Sequence, residues 1–413
     1  MTNATTGDSA ETPQASATNA PPQKLVLVDG HALVYRAYHA LPPDLRTARG
    51  EQTNAVFGFA QMLLDTIRNQ APHYVVVTFD KGRTFRHEAS ADYKATRTAM
   101  PDDLRQQIGR VRQLVDVLGI PIAELENYEA DDVIGTLSRQ AEEQGLDTYI
   151  LTADTDQHQL ISDHVRMIAP GGYAQRFSEA KIYDVQAVQD RYGFGPELVP
   201  DFKALVGDKT DNIPNVPGIG DKTASALLQQ YGSLEAILEH LDELKPKQSE
   251  TLRQHTDQVR HSKILTTIVR DADVSLDLEA SKLRPFNRQL LLRLLQDLEF
   301  RSLLAKVDQV EAVIAAREGE QPSTDTPAPP TDQAPSPPVA SQAKAGAPRQ
   351  MSLFGEEDET PAPSSAEGVA STEDVVRTLA PVTGEARIRA GVPAQVNIVC
   401  KEDELNRLVA RLK

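Results

Sequence analysis

Carboxylates dominate the chemistry this chain could do. Asp29 and Asp80 each close a short apolar run (KLVLVD, YVVVTFD), and Asp154 closes a third (TYILTAD). Further acids stand in tight groups: Glu129, Asp131 and Asp132 in EADD, Asp154 and Asp156 in DTD, Asp208 and Asp211 in GDKTDN. Carboxylate oxygen is the ligand Mg²⁺ and Mn²⁺ prefer, and several acids brought together can hold two such ions. Two ions about 4 Å apart can generate a hydroxide and stabilise the leaving oxygen of a phosphodiester. Any one group alone is explained by helix capping or a strand-end turn. Glu129 and Asp132, at i and i+3, also share one face of a helix start, where acids suit the helix dipole. Five groups, three of them closing strands, favour a metal site.

The elements that must position these acids can be read from periodicity. Lys24–Asp29, Tyr74–Asp80 and Thr148–Asp154 are short continuous apolar runs of the kind found in buried parallel strands. Helical patterns separate them over Ala55–Asn69, Leu104–Leu118 and Ala130–Gln144. This alternation predicts an α/β fold with a parallel sheet flanked by helices, whose ligand crevice lies at the carboxyl ends of the strands. From about residue 185 to Val307 the pattern is one of short helices, the last spanning Asn287–Lys306.

Two other segments could touch phosphate. Lys81–Arg112 carries eight cations against four acids, with Phe85 and Tyr93 interleaved. Such a run can pair phosphate neutralisation with base stacking, although charge runs are most often solvated faces. Its position directly after Asp80 favours the phosphate. The turn Val216–Gly220 (VPGIG) precedes a helix over Thr223–Tyr231, and glycines there would let backbone N–H groups approach a phosphate beside Lys222. Nothing in the acid chemistry requires histidine, so the histidines read as structural or surface residues, with His87, inside the basic run, the one to watch.

Composition bounds the rest. The chain has 413 residues, 43 Lys+Arg and 60 Asp+Glu, for a net charge of −17. No run approaches the ~20 apolar residues of a membrane helix, and the start has no secretory signal pattern, so no membrane is expected. A single cysteine, Cys400, excludes a disulfide framework and points to the cytosol. The acidic balance argues against nucleic acid only until it is divided by segment. Residues 24–310 carry 33 bases against 42 acids, and nine of those acids are the groups above. Without them the segment is neutral.

Four stretches identify a family. FRHEASADYKATR, YEADDVIGTL, TADTDQHQL and GDKTDNIPNVPGIGDKTA resemble, in order, the motifs of the 5′-nuclease (flap endonuclease-type) domain at the start of bacterial DNA polymerase I. The resemblance covers about residues 24–307 and implies a PIN-like sheet with a helical helix-hairpin-helix subdomain after it. It implies a Mg²⁺-dependent 5′→3′ exonuclease that also cuts flaps in DNA replication and repair, with Mn²⁺ able to substitute. By motif position, Asp29, Asp80, Glu129 and Asp131 match a first metal cluster and Asp154, Asp156 and Asp211 a second, with Asp132 and Asp208 accessory. Arg86, Tyr93, Lys94 and Arg97 match a helical arch that grips the scissile phosphate, with Arg86 and Lys94 in catalytic roles and Tyr93 and Arg97 on DNA. Gly218, Gly220 and Lys222 match the helix-hairpin-helix, where the family often binds a monovalent cation such as K⁺. Thr155 stands where the family more often has Lys, which leaves every ligand in place.

The expected organisation is a disordered tail over 1–23, the nuclease core with its arch over 24–184, and the helix-hairpin-helix subdomain over 185–310. A Pro/Ser/acidic linker over 311–385 follows, and 386–413 resembles the opening of a proofreading-type domain, in a chain ending before the proofreading and polymerase domains. Residues 318–372 hold 10 of the 27 prolines, too polar a stretch to fold alone. Within it, Gln350–Phe354 (QMSLF) resembles the peptide that docks on the bacterial sliding clamp, with Gln350, Leu353 and Phe354 as anchors. The expected partners are DNA 5′ ends, flaps and nicked duplex, for a monomer in the cytoplasm associated with the nucleoid. The alternatives are the N-terminal fragment of a full DNA polymerase I, a PIN-like ribonuclease and a non-catalytic DNA-binding module.

Overall fold

Apolar strands with no polar face must be covered on both sides, and this sheet is. The computed structural model describes residues 21–171 and 180–319. Its strands are β1 (Lys24–Asp29), β2 (Tyr74–Thr78), β3 (Lys81–Thr84), β4 (Ile122–Ala123), β5 (Glu126–Asn127), β6 (Asp147–Leu151), β7 (Val165–Ala169) and β8 (Lys181–Tyr183). Six form one sheet in the order β4-β2-β1-β6-β7-β8, with β1 central and parallel to both neighbours. Only β8 runs antiparallel. β3 and β5 make a separate parallel pair.

Strand alternation divides the core. Val26, Val28, Val75 and Val77 point to one face, beneath α1 (Gly30–Ala40) and α2 (Asn54–Gln70). Leu25, Leu27 and Val76 point to the other. Between β2 and β6 lie α3 (Phe85–Ala89), α4 (Asp102–Val117) and α5 (Ala130–Glu143), and the buried Val133, Ile134 and Leu137 of α5 cover the second face. The sequence boundaries for α2, α4 and α5 agree within two residues.

A second core is mainly helical, with Met167 of β7 joining it. It gathers residues from α6 (Val185–Tyr192), α7 (Val199–Val206), α8 (Asp221–Tyr231), α9 (Leu234–Glu239), α10 (Pro246–Gln254) and α11 (Thr256–Thr266). The chain then returns to the α/β body. Ile268, Val274 and Leu276 pack on the α5 face, and α12 (Leu278–Ser281) follows. The expected helix over Asn287–Lys306 is two, α13 (Arg288–Asp297) and α14 (Leu304–Glu318), because Glu299 takes a left-handed φ of 61°. That break turns Phe300 inward, edge-on to Phe57 at 5.2 Å. Leu291, Leu295, Val307 and Ile314 join the first core, so 285–318 complete the α/β body rather than the helical subdomain, and helix continues past residue 310. Residues 1–20, the rest of the expected linker and 386–413, with QMSLF and Cys400, lie outside the described residues.

The loop after α7 depends on one glycine. Gly207 has a φ of 74°, and a Cβ there would stand 2.6 Å from Asn215 N and 2.7 Å from Ile213 O. Asp208 and Ile213 close the loop reciprocally, N to O, at 2.9 and 2.7 Å. Gly207→Ala should therefore lower unfolding free energy by about 1–3 kcal/mol in a urea titration. Wild-type stability in that variant would contradict this loop geometry.

Candidate active site

The strands deliver their acids just beyond their carboxyl ends. Asp29 is the last residue of β1 and the N-cap of α1, its Oδ1 accepting from Ala32 N at 3.0 Å. Asp80 and Asp154 do not end their strands as expected; they follow β2 and β6 by two and three residues. Asp80 Oδ1 accepts from Ala130 N, in the first turn of α5, at 2.8 Å, and His31 Nδ1 lies 3.2 Å from its Oδ2. Asp154 caps a 3₁₀ turn over Thr155–Leu160, accepting from Asp156 N at 2.9 Å. The Thr152 hydroxyl joins two of these ends, donating to Asp29 Oδ2 at 2.8 Å and accepting from Asp154 N at 3.0 Å. The cap at Asp29 or Asp154 engages one carboxylate oxygen and leaves the other for a second partner.

The acids also feel one another. Burial, then the charges of Asp154, Asp29 and Glu129, pushes the Asp131 pKa well above the usual carboxylate range. Burial, assisted by Asp80 and Asp154 against the hydrogen bonds from Ala32 and Thr152, raises Asp29 to about 6. Burial and Asp154 raise Asp156 to about 7, even with Lys203 opposing them. Asp80 goes the other way. Desolvation pushes it up, but His31, the Ala130 N–H and Lys94 together outweigh this and hold it at about 2. The side chain is 43% exposed at the cleft mouth, so water screens that effect.

Cations stand among these carboxylates. Lys94 Nζ donates to Glu129 Oε1 at 2.7 Å and lies 3.8 Å from Asp211 Oδ2, and Arg97 donates to Asp211 Oδ1 at 2.6 Å. The buried Tyr93 hydroxyl bridges the same two acids, 3.1 Å from Glu129 Oε2 and 2.9 Å from Asp211 Oδ2. Lys203 Nζ donates to Asp208 Oδ2 at 2.6 Å and contacts Asp156 Oδ1. A cavity of 310 Å³ is lined by Asp154, Asp156, Lys203, Asp208 and Asp211. As they stand, no three His, Cys, Asp or Glu side chains among the described residues form a ready coordination shell. The donor set nevertheless fits a hard divalent ion: it is all oxygen, and its acids repel one another.

Comparison with known proteins decides the family. A profile described as "5'-3' exonuclease, N-terminal resolvase-like domain" matches residues 24–193, and one described as "5'-3' exonuclease, C-terminal SAM fold" matches 194–289. The chain belongs to the 5′-3′ exonuclease family. It is 45% identical over 343 residues to DNA polymerase I of Chloroflexus aurantiacus, covering 83% of this chain and 35% of that protein. With DNA polymerase I of Bacillus subtilis it shares 39% identity over 292 residues, 70% of this chain and 33% of the relative. The chain thus spans about a third of the length of these curated relatives. The T5 D15 protein co-crystallised with metal ions shares its fold, with a TM-score of 0.50 and 19% identity over 67% of this chain and 98% of that one.

Within this exonuclease family frame, two site expectations are corrected. Asp132 is 0% exposed and saturated: Oδ1 accepts from Arg86 Nη2 at 2.8 Å and Val269 N at 2.9 Å, Oδ2 from Arg86 Nη1 at 2.7 Å and Glu129 N at 3.0 Å. It has no lone pair turned to an ion. Arg86 is equally committed, donating also to Leu265 O at 2.9 Å and Thr267 O at 2.7 Å, with Glu129 Oε2 3.8 Å away, so it does not face a phosphate. The pair bolts α3 to α5 and to the end of α11. Nor is the arm a helical arch. After the five residues of α3 the chain runs through turns until α4 begins behind Pro101, and Lys94 itself is left-handed at φ 56°. Lys94 N donating to Asp211 O at 2.9 Å, and Asn212 Nδ2 to Asp92 O at 2.8 Å, fasten that arm to the GDKTDN loop.

Gly218, Gly220 and Lys222 form an exposed turn into α8, with open space where a Cβ of either glycine would project. His87 caps α3, its Nδ1 accepting from Thr84 N at 3.1 Å. Sequence reasoning missed three neighbours of the acids: His31, Gln157, which donates to Asp131 Oδ1 at 2.6 Å, and Lys203. Lys203 left a weaker trace, one of two charges, with Asp201, on the mostly apolar α7. Removing one partner of the Arg86–Asp132 pair leaves a buried charge unpaired. Asp132→Ala should cost about 3–5 kcal/mol of stability while the folded protein keeps the wild-type number of bound Mn²⁺ ions. Loss of an ion with unchanged stability would restore Asp132 as a ligand.

Proposed function

We propose that this chain hydrolyses DNA phosphodiesters with divalent metal ions, as a 5′→3′ exonuclease and structure-specific flap endonuclease of DNA replication and repair. The observation that carries this reading is the chain of mutually repelling carboxylates at the ends of β1, β2 and β6, with Lys94 and Arg97 set against it. The T5 D15 protein, co-crystallised with metal ions, supports the same use of the fold. Asp29, Asp80, Glu129 and Asp131 would hold one Mg²⁺, or Mn²⁺ in its place; Asp154, Asp156 and Asp211 would hold the second, with Asp208 beside them. When bound, two such ions supply an activated water and a clamp on the phosphate oxygens.

The chain's own residues do the remaining work. Tyr93 holds Glu129 and Asp211 in one orientation through its hydroxyl. Lys94, beside Glu129 and Asp211, would stabilise charge developing on the scissile phosphate. Arg97, about half exposed, meets the neighbouring backbone phosphates. Gly218, Gly220 and Lys222 offer exposed backbone N–H groups and one charge to the duplex, and K⁺ would bind at that turn. Gln350, Leu353 and Phe354 would tether the enzyme to a sliding clamp. The enzyme would act as a monomer at the nucleoid in the cytoplasm; among the described residues no helix is long and apolar enough to cross a membrane.

The test is cleavage of a labelled 5′-flap DNA with Mg²⁺ present. Asp80→Ala and Asp154→Ala should each lose activity on the order of 10²–10³-fold or more while circular dichroism stays unchanged. Turnover near wild type in either variant would overturn the assignment.

A further inference from the structure

Lys203 is the cation of this cleft that the reaction does not use. It projects from α7, a regular helix anchored in the second core by Val199, Phe202, Ala204 and Leu205, so its stem starts from a fixed point. Its ammonium reaches two acids, donating to Asp208 Oδ2 at 2.6 Å and contacting Asp156 Oδ1. That Asp156 oxygen is buried, and the Lys203 ammonium is the partner in contact with it. Lys203 also lines the same 310 Å³ cavity as Asp154, Asp156, Asp208 and Asp211. Lys94 differs from it. Lys94 rides on the turn-built arm and faces the other acid group, through Glu129.

A positive charge among acids does in the metal-free protein what a divalent ion does in the loaded one: it offsets their repulsion. The two cannot share the pair without repelling each other, so either the ammonium leaves or the ion binds more weakly. We propose that Lys203 is a built-in counter-cation for the second acid group, competing with the second divalent ion and setting the concentration at which that site fills. The inference rests on the metal-site reading above. It makes Lys203 a positioning residue: it keeps Asp156 and Asp208 in place while the site awaits its ion, and it makes filling of the second site dependent on metal concentration.

The experiment is a Mn²⁺ titration of the full chain at about pH 8, following free Mn²⁺ by its electron paramagnetic resonance signal. Wild type, Lys203→Met and Lys203→Arg are compared, with Asp154→Ala marking which binding class belongs to the second acid group. Lys203→Met should tighten that class about tenfold and leave the other unchanged, while Lys203→Arg, which keeps the charge, stays close to wild type. Should Lys203→Met fail to fold without metal, Lys203→Gln carries the same expectation. Unchanged or weaker Mn²⁺ binding in the neutral variants, even with a lowered melting temperature, would overturn the inference and leave Lys203 a purely structural residue. A wild-type chain that binds no Mn²⁺ would overturn both this inference and the metal reading.

Discussion

Repulsion among carboxylates gathered at one edge of a parallel sheet is the constraint on which the rest of this structure depends. Asp29, Asp131 and Asp156 all have raised pKa values, because each is desolvated and faces another acid. A fold that concentrates negative charge in this way must balance it or lose stability. Three devices do so here. Backbone N–H groups at helix starts meet Asp29 and Asp80. Tyr93 and Thr152 hydrogen-bond the cleft acids without adding charge. Lys94, Arg97 and Lys203 supply positive charge directly.

Around that cleft the structure spends its strongest polar contacts on rigidity. Arg86 and Asp132 form a buried bidentate pair whose remaining groups bind the backbone of residues 265–269, and charge-assisted pairs of this kind are both strong and directional. Through it the start of α5, which carries Glu129 and Asp131, is locked to the helical body that carries Lys203 and Asp208. Asp208 and Asp211 come from the helical body and the other acids from the α/β body, so this bolt helps determine how they meet.

Much of this was legible in the sequence. The β1 boundaries followed from an unbroken apolar run ending in Asp, and the acids that meet at the cleft were visible as clusters because their types and spacing are local. What failed was long-range. EADD contains three acids of similar local character, and only the approach of Arg86 from 46 residues away separates Asp132 from its neighbours. The arm read as an arch by resemblance, whereas Tyr93 and Lys94 are held in turns by Glu129 and Asp211. Leucines at helical spacing concealed the break at Glu299, because a left-handed residue leaves no trace in periodicity. His31 and Lys203 become site neighbours only once the strand ends are brought together.

Residues 24–310 hold −9 of the net charge of −17, an excess equal to the nine clustered acids. The most direct test of their repulsion is the melting temperature of the full chain with and without Mg²⁺, compared at pH 5 and pH 8. Asp29 at about 6 and Asp156 at about 7 favour the folded state when protonated, so their contribution is lost as pH rises through those values. A divalent ion binds the ionised form, so the Mg²⁺-induced rise should be larger at pH 8 than at pH 5. Asp80, held at about 2, stays ionised across this window and leaves the comparison unaffected. An equal rise at both pH values, or none at pH 8, would contradict the account.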